Sequence, residues 1–206
     1  AFSKHSYLVK DAAELPRIIS ESFHIASTGR PGPVLIDVPI DVQEQVVFDP
    51  VFPEEVNIRG YHPSVRGNDK QITHVVNAIA TAQRPVICAG GGVFLSNALL
   101  ELETFAARTR IPGTHGNACA NKALAKSDLL IMIGTRAADR AIFSPQEIQR
   151  RMPSIHIDVD PAEIGKNIQT EIPLVGNVRV ILQQLLERDL TTHCAPWLAQ
   201  LRERRA

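Results

Sequence analysis

The chain has 206 residues, enough to bury a core as one large domain or as a small domain joined to part of another. Its 22 lysines and arginines balance its 22 aspartates and glutamates, so there is no basic excess to neutralise a nucleic-acid backbone and no acidic tail. No apolar run approaches the roughly 20 residues that span a bilayer, and the opening AFSKHSYLVK lacks a signal peptide's apolar stretch. Neither a membrane nor nucleic acid is expected as a partner, and the expected location is cytoplasmic.

In chain order, DAAELPRIISESFHIASTG sets Leu15, Ile18, Ile19, Phe23 and Ala26 at helical spacing, with Pro16 tolerated in the first turn and Gly29 able to close the far end. After the turn Arg30-Pro31-Gly32-Pro33, VLIDVP is a short apolar run bounded by prolines, the form of a buried parallel strand. One helix and one strand cannot bury both faces of that strand. From Val46 to Asn68, prolines, glycines and mixed charges without a period read as a linker.

QITHVVNAIATAQ places Ile72, Val75, Val76 and Ile79 on one helical face, and Arg84-Pro85 closes it ahead of the strand VICAGGGV. A helix from about Ser96 to Arg108, a helix around Asn121, the strands DLLIMIG and IHIDVD, a short IPLVG and a helix through VRVILQQLLER follow. This alternation predicts an α/β fold with an open, mostly parallel, doubly wound sheet. It fails once: the helix ending near Arg108 runs into TRIPGTHGNACANKAL with no strand between it and the next helical stretch. Either the fold departs there or residues are absent between Pro112 and Thr114. The cysteines, Cys88, Cys119 and Cys194, are far apart and lack CxxC spacing, which marks them as reduced packing residues.

The chemistry is expected where strands end. Gly90-Gly91-Gly92, Gly134-Thr135-Arg136, Asp158-Val159-Asp160 and Gly176-Asn177 each follow a predicted strand, and ligands of open α/β sheets bind outside the carboxyl ends of strands. Glycine there admits a phosphate to the backbone N–H groups, and a carboxylate can hold ribose or adenine. The same glycines also suit plain turns, since GGGVFLS is neither GxGxxG nor a Walker loop. His115, between Gly113 and Gly116, is either a ligand contact or an exposed loop residue. Arg136 and Arg140 either clamp a phosphate or pair with neighbouring carboxylates, and the aspartates of 158 to 160 either do acid–base work or cap turns. No metal-ligand spacing occurs.

The stretches KHSYLVKDAAELPRIISESFHIASTGRPGPVLIDVPIDVQ, RPVICAGGGV, GTHGNACANKALAKSDLLIMIGTR, ADR and IHIDVDPAEIGKN resemble the thiamine-diphosphate-dependent acetolactate (acetohydroxyacid) synthases in order and over nearly the whole chain. The resemblance implies a fragment: residues 1–45 as the end of a pyrimidine-binding domain, 46–70 as linker, 71–190 as the central domain and 191–206 as a terminal helix or linker. It implies that the activating glutamate and the metal-ligand motif for thiamine diphosphate and magnesium lie outside this chain, leaving no catalytic residue and no metal ligand within it. The parent would condense two 2-oxo acids with decarboxylation, in branched-chain amino-acid biosynthesis and as a homo-oligomer, whereas the fragment alone would be inactive.

The resemblance further implies contacts to a structural FAD from Arg59, Gly90, Gly91, Gly92, Gly113, His115, Gly116, Gly134, Thr135, Arg136, Asp158, Asp160 and Glu163, with Asp139 and Arg140 near the substrate channel. Ala137 and Ala138 replace the family's usual Phe-Asp, and relatives carry a strand and glycine-rich loop after the RIP sequence that are not seen here. The alternatives are another thiamine-diphosphate enzyme (oxalyl-CoA decarboxylase, glyoxylate carboligase or sulfoacetaldehyde acetyltransferase) and a stand-alone flavin- or nucleotide-binding module.

Overall fold

The computed structural model describes residues 2–113, 123–136, 148 and 150–203. The chain divides into two compact units, Ala1–Pro63 and Ser64–Ala206.

The first unit is one strand–helix–strand turn of a parallel sheet. Strands β1 (His5–Leu8) and β2 (Val34–Asp37) pair in parallel from His5 opposite Val34 to Leu8 opposite Asp37, and α1 (Leu15–Ser27) is the crossover between them. A carboxylate oxygen of Asp11 accepts the Ala13 N–H at 2.9 Å, capping a single 3-10 turn that runs into α1, where Pro16 sits at a position whose N–H needs no helical partner. Ile18 of α1 joins Val9, Ala12 and Val42 in a small core against which Tyr7, Leu15, Ile36 and Val38 pack. Residues alternate faces along a strand, so the register leaves Ser6, Leu8, Leu35 and Asp37 on the other face, where Leu8 and Leu35 are 57% and 59% exposed. A short helix α2 (Ile40–Gln43) follows.

The segment after α2 contains no regular element up to Asn68, but its part near Tyr61 is tied down. The Lys4 ammonium donates to the carbonyls of Ile25 and Thr28 at the end of α1 and to the Tyr61 hydroxyl. It thereby supplies positive charge and donors to a helix C-terminus while fixing Tyr61 beside it.

The second unit holds a four-stranded, wholly parallel sheet in the order β3 (Pro85–Ala89), β4 (Leu129–Ile133), β5 (Ser154–Asp158), β6 (Ile172–Val175). Parallel neighbours require long crossovers, and a sheet covered on both faces needs apolar residues at consecutive positions. Every residue of β4 and β5 is buried accordingly. Helix α3 (Asp69–Thr81), capped by the Asn68 side chain, buries Ile72, Val75 and Ile79 and packs near β6. After β3 come α4 (Gly91–Leu95) and α5 (Leu99–Thr109), and after β6 come α6 (Val178–Leu186) and α7 (Ala195–Glu203). Helix α6 packs on α5, α3 and β5. Its buried Gln184 reads both backbone groups of Gly67, accepting its N–H at 2.8 Å and donating to its carbonyl at 3.2 Å.

The helix expected from about Ser96 to Arg108 is α5, and a short helix not expected from the sequence, α4, precedes it; the two are separated where Asn97 takes a left-handed φ of 52° and the Ser96 hydroxyl folds back onto the Gly92 carbonyl. In place of the missing strand, residues 112 and 113 make one parallel bridge: Ile87 donates its N–H to the Pro112 carbonyl at 2.9 Å and pairs with Gly113. Pro85, two residues earlier on β3, has no N–H to offer, so this edge is blunted. The helix expected around Asn121 falls partly outside the described residues, and Cys119 lies outside them. Cys88 and Cys194 are both buried.

A charged contact joins α5 to α6. A Glu101 carboxylate oxygen accepts from Arg179 Nε at 2.7 Å and from Gln183 Nε2 at 3.0 Å, and the Arg179 bond, outweighing burial, holds the carboxyl below its ordinary value of 4.5. A carboxyl whose folded pKa is depressed stabilises the fold above its unfolded pKa and loses that contribution as pH falls through the folded one. Glu101→Gln is therefore expected to lower the urea midpoint at pH 7, with the gap to wild type closing as pH drops below 4.5. A gap that persists unchanged into acid would contradict the pairing.

Candidate functional site

Because β3, β4 and β5 are adjacent and parallel, the turns that leave them emerge at one edge of the sheet. The Gly90-Gly91-Gly92 turn, the Gly134-Thr135-Arg136 turn and the Asp158–Asp160 turn thus lie side by side at its carboxyl edge, the place where open α/β sheets bind ligands.

The glycines there do two different jobs. A Cβ on Gly90 would lie 2.5 Å from the Gly134 carbonyl oxygen and 2.7 Å from Thr135 Cα, and one on Gly92 would lie 2.7 Å from Gly134 Cα. Gly134 itself has φ +57°, and a Cβ there would meet Gly92 Cα at 2.7 Å. Their amides are consumed in the same contact: Gly90 donates to the Ile133 carbonyl and Gly92 to the Gly134 carbonyl, both at 2.9 Å, and Gly134 donates to Ile157 at 2.8 Å. Gly90, Gly92 and Gly134 are glycines because two turns touch backbone to backbone. Gly91 is exposed, with nothing within 4 Å of an added Cβ, whereas Gly90 and Gly92 are half-buried.

The carboxylates after β5 serve the turn. Asp158 is nearly buried and accepts the Asp160 N–H at 2.9 Å, and Asp160 accepts the Ala162 N–H at 3.0 Å. Buried Glu163 donates its N–H to the Asp160 carbonyl and pairs with Lys166 at 3.4 Å. These are the caps that such aspartates commonly form, and they place three carboxylates of one turn beside the glycine turns. Thr135 is buried, whereas the Arg136 side chain is exposed.

Other expected residues are placed elsewhere. Gly113 lies opposite Ile87, in the middle of β3, and Arg59, exposed and next to Gly60 at φ 80°, belongs to the first unit. His115, Gly116, Asp139 and Arg140 lie outside the described residues, as do Ala137 and Ala138. Among the described residues no three His, Cys, Asp or Glu side chains come together as metal ligands, and no helix is long and apolar enough to cross a membrane.

One residue at this edge was not singled out from sequence. His156 of β5 is 1% exposed, and its Nε2 lies 2.9 Å from the Thr135 carbonyl oxygen. A carbonyl only accepts, so Nε2 carries the proton. Nδ1 is then a bare acceptor, buried without a partner among the described residues. Burial lowers the imidazole pKa, opposed by the Thr135 bond and by Asp158 and Glu163, so the ring is neutral at pH 7. The available signal was an imidazole at an alternate position between Ile155 and Ile157.

Residues 110–185, which include β4 to β6, match the family model described as "Thiamine pyrophosphate enzyme, central domain". The acetolactate synthase of Arthrospira platensis is 40% identical over 211 residues, covering 90% of this chain and 36% of the relative. This chain is homologous to a part of acetolactate synthase. The acetolactate synthase large subunit of Corynebacterium glutamicum is likewise 40% identical, with 90% of this chain and 33% of the relative covered, and the probable large subunit of Methanococcus aeolicus is 38% identical, with 90% and 35% covered. The chain spans about a third of the length of these curated relatives, and among the alternatives above the acetolactate synthase reading is the one they favour. The 211 aligned positions of the Arthrospira match exceed the full 206 residues of this chain although a tenth of it lies outside the alignment, so the relative carries residues that this chain lacks.

The two roles of glycine separate in stability measurements. Gly92→Ala forces backbone atoms apart and is expected to destabilise by about 1–3 kcal/mol or more, while Gly91→Ala stays within about 0.5 kcal/mol of wild type. Urea unfolding of both variants checks this, and equal stabilities would refute the close-contact account.

Proposed function

We propose that the second unit is the nucleotide-binding central domain of a thiamine-diphosphate-dependent acetolactate synthase, and that its ligand is FAD, held at the carboxyl edge of the sheet. The observation that carries this is the meeting of the turns after β3, β4 and β5 at one edge, in a chain 40% identical to acetolactate synthases over most of its length. Exposed Gly91, exposed Arg136 and the carboxylates after β5 fit an extended dinucleotide, whose phosphates suit open backbone and a guanidinium and whose ribose suits a carboxylate. In this reading the flavin is a structural group and supplies no step of the net reaction.

The parent enzyme condenses two 2-oxo acids, one of them decarboxylated, as a homo-oligomer. In this reading the residues that hold thiamine diphosphate and magnesium belong to the parent outside this chain, and no step through them is assigned to it. Residues 1–45 are the end of the pyrimidine domain, 46–70 the linker and 71–190 the central domain. Gly113, His115 and Gly116 contact the flavin. Asp139 and Arg140 line the substrate channel. In this reading the residues lacking relative to the Arthrospira enzyme are assigned to the stretch after Pro112, beside the bridge between Ile87 and Gly113.

Calorimetric titration of the purified chain with FAD, ADP and thiamine diphosphate plus magnesium tests the reading. FAD and ADP are expected to bind saturably, thiamine diphosphate with magnesium to give no saturable heat, and pyruvate to remain unconsumed. Pyruvate turnover, or thiamine diphosphate binding without FAD binding, would overturn it.

A further inference from the structure

Three successive carbonyls of the turn leaving β4 are each held by a donor from a different part of the second unit. The Gly134 carbonyl accepts the Gly92 N–H at 2.9 Å, the Thr135 carbonyl accepts from His156 Nε2 at 2.9 Å, and the Arg136 carbonyl accepts from Asn167 Nδ2 at 2.7 Å. Carbonyl oxygens engaged by donors of the protein have their negative ends partly neutralised, which suits an edge that must receive an anion. The first tie is backbone to backbone. The other two depend on side chains, and the His156 tie is the buried one.

His156 is costly where it stands. Its register neighbours on β4 and β6 are Met132 and Pro173, the strand residues flanking it are isoleucines, and its Nδ1 is buried without a partner among the described residues. An apolar residue would leave no orphaned nitrogen there. What only a side-chain N–H of this reach provides is the bond to Thr135.

From this we infer that His156 is a positioning residue of the nucleotide site: its Nε2–H fixes the turn Gly134–Arg136 with its carbonyls inward, and Asn167 completes the lock from the loop before β6. The inference rests on the nucleotide reading above. His156 touches neither ligand nor reacting atoms in this account, and it acts through the shape of the turn.

The test compares His156→Gln, whose amide N–H reaches about as far as Nε2, with His156→Leu, which fills the space without a donor. ADP affinity is measured by calorimetry on the full chain, and amide hydrogen exchange is followed at Gly134–Arg136. His156→Leu is expected to keep a cooperative melt, to bind ADP about tenfold more weakly, as loss of one well-formed hydrogen bond implies, and to exchange faster in the turn. His156→Gln is expected to restore both. A merely structural histidine would change the melt without this rescue of affinity. If His156→Leu does not melt cooperatively, Asn167→Ala removes the neighbouring tie from an exposed position and is expected to weaken ADP severalfold. ADP binding that survives in whichever of these two variants folds, or that falls equally in His156→Leu and His156→Gln, overturns the assignment. Failure of the wild-type chain to bind ADP or FAD overturns the nucleotide reading itself, and with it the purpose given to His156.

Discussion

The second unit is organised around a contact in which no side chain takes part. The turns leaving β3 and β4 press together at Gly92 and Gly134, closer than any Cβ permits, and a hydrogen bond of 2.9 Å closes the gap. Gly134 reaches that contact only with φ +57°, a backbone state that L residues with side chains rarely adopt. Because the two strand ends are held so near, α4 begins at once after β3, and the chain after β5 meets the same edge. The amides of the two turns are mostly spent on building the edge, which leaves Gly91 and the Arg136 side chain exposed there.

Much of this was legible in the sequence because the sheet is buried on both faces. Continuous apolar runs such as LLIMI and the alternation of strands with helical periods fix a parallel α/β fold with little ambiguity. Strand β1 was not legible: HSYL is short and polar, its burial is slight, and its pairing with β2 depends on a partner 29 residues away. The break between α4 and α5 was hidden because Phe94, Leu95, Leu99 and Leu100 keep an apolar look through it, although all four are exposed and the chain turns at Asn97.

The site was legible as positions and not as roles. Glycine at a strand end reads alike whether it admits a phosphate or another turn, and only the distances from Gly90 and Gly92 to Gly134 separate the cases. Asp158 and Asp160 prove to be turn caps, the common use of such residues, while His156 passed unnoticed because a histidine in an apolar strand carries no motif. Relatives near 40% identity bear out the resemblance to acetolactate synthases, which periodicity alone did not reach.

The central claim is that the carboxyl edge of this sheet receives a nucleotide. Its most direct test is a titration of the isotopically labelled chain with ADP, followed by amide chemical shifts. Saturable shifts are expected at Gly91, Thr135, Arg136 and Ala162, with Arg84, Asp128 and Ser154 at the opposite edge unmoved. Shifts confined to that opposite edge, or none at saturating ADP, would contradict it.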